Sequence, residues 1–148
     1  MLLLAGLLSP GAAMAFFSKT LYLFTEVDGV VLLDGRPVPG VEVEQDYHWH
    51  WGEQERSARV TTDAQGRFRF PEVTGRSWTA GLLPHEPVIN QRITLRYQGR
   101  QYKGWLHSKH NYDRFGEVPG RPLALICDLS HPPLPHPEIG SFGICVMR

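Results

Sequence analysis

Val41-Glu42-Val43-Glu44-Gln45-Asp46-Tyr47-His48-Trp49-His50-Trp51 decides the reading of this chain. Its odd positions are apolar or aromatic except at Gln45, and its even positions are acidic or histidine. Successive side chains of a strand point to opposite faces, so alternation of this length describes a long strand with one dry face and one wet face. On this reading Trp49 and Trp51 belong to the dry face, and His48 and His50 face water.

The flanking sequence extends the pattern in both directions. Asp34-Gly35-Arg36-Pro37-Val38-Pro39-Gly40 is a turn ahead of the strand, and Gly52-Glu53-Gln54-Glu55 is a turn after it. Ser57–Thr62 reads as the return strand. Asp63-Ala64-Gln65-Gly66 turns the chain again, with Gly66 where a hairpin needs positive φ, and Phe68 and Phe70 then alternate with Arg67 and Arg69. Further strands are expected at Leu21–Phe24, Val30–Leu33, Ile89–Gln98, Gln101–His107, Leu123–Leu129 and Phe142–Met147. Between Pro71 and Ile89 no period stands out, and Ser108–Pro122 reads as a long loop. Twelve prolines and 15 glycines punctuate short apolar runs and leave little room for long helices. The expectation is an all-β protein, an Ig-like or transthyretin-like antiparallel β-sandwich with one disulfide.

Composition narrows the function classes. Fifteen basic and 15 acidic residues leave no net field to attract nucleic acid or an anionic membrane. The first fifteen residues carry no charge, run from apolar to small, and end in Ala13-Met14-Ala15, the small-x-small pattern of a signal-peptidase site. The expectation is a signal peptide over 1–15, its basic n-region lying upstream of Met1, and a single sandwich domain over 16–148. That places the protein in the periplasm or otherwise outside the cell, with no integral membrane segment in the mature chain, because the apolar run is short of the roughly 20 residues a spanning helix needs. In an exported chain the two cysteines, Cys127 and Cys145, are expected to pair and to hold the last strand to Leu123–Leu129.

The block Gly29-Val30-Val31, Gly35-Arg36-Pro37-Val38-Pro39-Gly40-Val41-Glu42-Val43 and Thr61-Thr62-Asp63-Ala64-Gln65-Gly66-Arg67-Phe68-Arg69-Phe70 resembles the opening strands of transthyretin-like and carboxypeptidase-regulatory-like domains. With His85-Glu86-Pro87, Tyr97-x-Gly99-x-x-Tyr102 and Cys127-Asp128-Leu129, the layout is similar to a small bacterial family catalogued as a domain of unknown function. The resemblance implies a sandwich and supplies no catalytic residue. Some members occur in Gram-negative bacteria with contact-dependent secretion systems, which prompts a toxin-neutralising role.

Two groups of residues are candidates for a site. His48 and His50, two apart on one strand face, have the spacing to share zinc or copper. A solvated sheet face, with the tryptophans packing the core, also accounts for them, and no third ligand is fixed by sequence. His107, His110, Tyr112 and Phe115 sit together in or beside a loop, and loops on rigid scaffolds often carry function. No paired acid and base, nucleophile elbow or phosphate loop is legible. The functional expectation is therefore a non-enzymatic protein-interaction module without a cofactor and with a protein partner, in its sharper form an immunity protein against a toxin delivered to the periplasm. The alternative is a small periplasmic metal-binding protein using His48 and His50.

Overall fold

The structure is a computed structural model and describes residues 19–148. The signal peptide expected over 1–15 lies outside the described residues. Among the described residues, thirteen strands and one short helix follow in order: β1 (Thr20–Phe24), β2 (Val27–Leu33), β3 (Arg36–Pro37), β4 (Glu42–Trp49), β5 (Gln54–Thr61), β6 (Arg67–Phe70), β7 (Val73–Arg76), α1 (Trp78–Leu82), β8 (Ile89–Tyr97), β9 (Arg100–Lys109), β10 (Leu123–Asp128), β11 (Leu134–His136), β12 (Ser141–Gly143) and β13 (Cys145–Met147).

A six-stranded sheet has the order β11-β12-β9-β8-β4-β5 and is antiparallel throughout. A five-stranded sheet has the order β13-β10-β2-β3, with β6 also paired to β2. Its central pair, β2 with β10, is parallel; its other ladders are antiparallel. A ribbon of β1 and β7 stands apart.

The core lies between the inner faces. Val43, Tyr47 and Trp49 on β4, Ile89, Ile93 and Leu95 on β8, and Trp105 on β9 are buried with Val27 and Val31 of β2, Leu123 and Leu125 of β10, and Phe68 and Phe70 of β6. The alternation read from the sequence thus holds along β4, where burial switches residue by residue from Glu42 to Trp49. It stops one residue pair early. Trp51 has left the ladder for the turn and is exposed.

The turn chemistry is as its residues require. Asp63 Oδ1 accepts from the amides of Gln65 and Arg67, each at 2.9 Å, and Gly66 takes φ 74° to close the hairpin into β6. Cys127 and Cys145 are directly opposed in the β10–β13 ladder and form a disulfide, as expected. The terminal strand is split, however. Gly143 lies so near the backbone of Gly104 that a Cβ would sit 2.1 Å from its carbonyl oxygen, and a bend at Ile144 separates β12, in the larger sheet, from β13, in the smaller. The segment without visible period, 72–88, contains β7 and α1. Ser77 caps α1 by accepting from the Ala80 amide at 3.1 Å. Among the described residues, no helix is long and apolar enough to cross a membrane.

Candidate functional site

One end of the sandwich gathers the turn after β4, α1 and the loops that follow α1 and β9. Tyr112 is the hub. Its hydroxyl accepts from Trp49 Nε1 at 3.0 Å and lies 2.8 Å from His85 Nε2. Its carbonyl accepts from the Tyr22 amide at 3.1 Å, tying the loop to β1. Burial, more than the Trp49 hydrogen bond that opposes it, pushes the Tyr112 hydroxyl above the usual tyrosine range, so it stays protonated at neutral pH. His85 stacks on Trp51 with ring centroids 4.0 Å apart and 25° between planes. Trp51 Nε1 in turn donates to Thr79 Oγ1 of α1 at 3.2 Å. Gly52 has no room for a side chain, since a Cβ there would meet the Trp49 ring at 2.4 Å. The buried Trp49 therefore anchors a chain of contacts that runs through Tyr112 and His85 to the exposed Trp51.

Around this chain lies the apolar surface of the same end. Trp78 is 48% exposed, Leu82 59%, Leu83 50% and Trp51 39%. Trp78 and Leu82, four apart, share a face of α1. Most large apolar side chains among the described residues are buried, so four exposed ones on or beside one helix form a patch rather than scattered single exposures.

The residues singled out in the sequence distribute themselves around this end. Tyr112 and Phe115 are half-buried, and Arg114 lies over the Phe115 ring at 4.8 Å. His110 is exposed, its Nδ1 3.1 Å from the Pro87 carbonyl. His107 points inward from β9 with its Nδ1 2.9 Å from the Gly140 carbonyl, and burial lowers its pKa despite that contact and the charge of Glu117. His48 and His50 do lie together, rings 4.2 Å apart. One nitrogen of each ring is engaged elsewhere, His48 Nδ1 with Glu55 Oε1 at 2.7 Å and His50 Nε2 with the Asn90 amide at 2.9 Å, while His48 Nε2 is buried without a hydrogen-bond partner among the described residues. Among the described residues, no group of three or more His, Cys, Asp or Glu side chains is placed to hold a metal ion.

The densest polar cluster was not visible in the sequence. Lys109 and Glu117 have no exposed side-chain surface, and Lys109 Nζ lies 3.3 Å from Glu117 Oε2 and 2.8 Å from the Asp113 carbonyl. Glu117 also accepts from the Thr25 amide at 2.9 Å, from the Thr25 hydroxyl, and from Gln91 Nε2 at 2.7 Å. Burial pushes the Glu117 carboxyl up, but the Lys109 charge and these donors outweigh it and hold the pKa below the usual range. Burial also lowers the Lys109 pKa, against the pull of Glu117. Such a pair resembles catalytic machinery by its chemistry. The pair is fully enclosed, and its bonds knit the β1–β2 turn, β8, β9 and the loop before β10 together. One signal could have found it: on β9 the inward series Trp105, His107, Lys109 places a lysine on the dry face.

The chain belongs to the family described as "Domain of unknown function (DUF6795)", whose model matches residues 27–132. No curated protein and no solved structure matches it.

Proposed function

From membership of a family without a defined activity, we propose that this protein is a non-enzymatic binding module of the periplasm, and that the aromatic end holds another protein. In its sharper form the partner is a toxin delivered to that compartment, which the module blocks. The observation that carries the reading is the exposed set Trp51, Trp78, Leu82 and Leu83, mounted on the core through His85, Tyr112 and Trp49. Interface energy concentrates in rigid aromatic anchors surrounded by apolar contacts, and a tryptophan already held by stacking loses little freedom on binding. The enclosure of Lys109 and Glu117 supports a non-enzymatic role, since the strongest acid–base pair cannot be reached.

A photo-crosslinking residue at Leu82, in protein exported to the periplasm of its own host, should trap one protein species. Trp78→Ser with Leu83→Ser should abolish that adduct while leaving the melting temperature within about 2–4 °C, as surface changes do. No adduct at Leu82, or one unaffected by the paired change, would sink the reading.

A further inference from the structure

The outer edge of β5 has, among the described residues, no strand beside it, although β5 is eight residues long. From Glu55 to Arg59 the strand is exposed on both faces. Edges of this length are ready templates for another strand.

The direction of the free backbone groups follows from the end of the ladder. The Thr62 amide donates to the Val41 carbonyl at 2.9 Å, and the Thr62 carbonyl accepts from the Gly40 amide at 3.1 Å, so Thr62 turns both groups toward β4. These directions alternate along an antiparallel strand. Glu55, Ser57, Arg59 and Thr61 therefore present their amides and carbonyls to solvent.

We propose that β5 is a dimerisation strand, pairing antiparallel with β5 of a second copy of this chain about a two-fold axis at Ser57. Ser57 then faces Ser57 of the second copy, and Glu55 faces Arg59 of the second copy, once on each side of the axis. The Ser57 pair and both Glu55–Arg59 pairs exchange hydrogen bonds, and both ion pairs join opposite charges. The neighbouring two-fold registers lose this match. An axis at Arg56 sets Arg56 against itself, and an axis at Ala58 sets Arg59 against Ser57 and Glu55 against Thr61, without an ion pair. Charges that would block an arbitrary strand thus select one register. Across the seam they continue an existing row, since Arg59 already bonds Glu44, and Glu55 already bonds His48. A two-fold axis also closes the assembly at two copies and makes one continuous sheet of the two six-stranded ones.

Ser57→Cys tests this directly. Facing residues of a hydrogen-bonded pair lie about 5.5 Å apart at Cα, within the span of a disulfide. Mild oxidation should give a covalent dimer, with the native disulfide protected by the burial of Cys127 and Cys145. Thr61→Cys, on the same edge but far from the axis, should give no covalent dimer. Adding Arg59→Glu to Ser57→Cys sets acid against acid at both ends of the seam and should slow cross-linking several-fold, with the fold checked by circular dichroism. Three results would each overturn the proposal: no Ser57→Cys dimer together with monomeric sedimentation at every concentration, equal cross-linking through Thr61→Cys, or a rate unchanged by Arg59→Glu.

Discussion

Ion pairs occur in two settings in this protein, and the contrast shows what enclosure does to a charge. On the wet face of the six-stranded sheet, Asp46 takes a forked contact from Arg92 at 3.0–3.2 Å, and Glu44 bonds Arg59. Those arginines remain more than half exposed. Inside, Lys109 and Glu117 meet at 3.3 Å with no exposed surface at all. Water competes for the outer pairs and screens them, so each holds little. No water compensates the inner pair, so each member depends on the other and on Thr25 and Gln91.

The largest effect should come from taking one partner from the inner pair. Glu117→Gln leaves the Lys109 ammonium buried without a counter-charge and should cost about 3–5 kcal/mol in urea unfolding. Lys109→Met added to Glu117→Gln removes the stranded charge and should recover most of that loss, because the new amide still accepts from Thr25 and Gln91. A double variant as unstable as the single one would show that the pair itself, and not the avoidance of a lone charge, holds this region.

Acid should separate the two settings further. The Glu117 pKa is depressed in the fold, so its contribution is complete above the unfolded carboxyl value of about 4.3 and is lost as pH falls through the depressed folded value. Stability measured against pH should therefore fall less steeply below that point in Glu117→Gln than in the parent. At the small end, a double-mutant cycle between Asp46→Ala and Arg92→Ala should give a coupling of about 0–1 kcal/mol that shrinks with added salt. A salt-insensitive coupling of several kcal/mol would erase the comparison.

How far the sequence could be read follows the same division between local and distant causes. The strands announced themselves where one face is dry and the other wet, as from Val41 to Trp49, because side-chain direction alternates residue by residue. Trp51 misled because alternation cannot show where the backbone leaves the ladder; the turn at His50 sends its ring onto His85 instead. β7 and α1 were hidden because, among the described residues, β7 pairs only with β1, and α1 has a single turn with one buried residue, Ala80, too short to display a period. Tyr112 was legible as a loop aromatic but not as the partner of Trp49 and His85, which come from other strands and loops. Glu117 was illegible for the same reason: its Thr25 partner lies 92 residues away, and an acidic residue in a Gly- and Pro-rich loop looks like an ordinary solvated one.

The parallel pairing of β2 with β10 sets the order in which the molecule can assemble. Hairpins such as β4 with β5 and β8 with β9 join neighbours in the chain and can form early. β2 must wait for a strand from the other end of the chain, because its parallel partner is β10. Closing so long a loop costs entropy before any contact repays it, so topology of this kind folds slowly. Until β10 arrives, Val27 and Val31 have a strand edge with no neighbour on that side, the state in which a half-formed chain aggregates. The two ends of the sequence are thus each other's folding partners, and a C-terminal truncation before Leu123 should leave a chain that collapses but does not close.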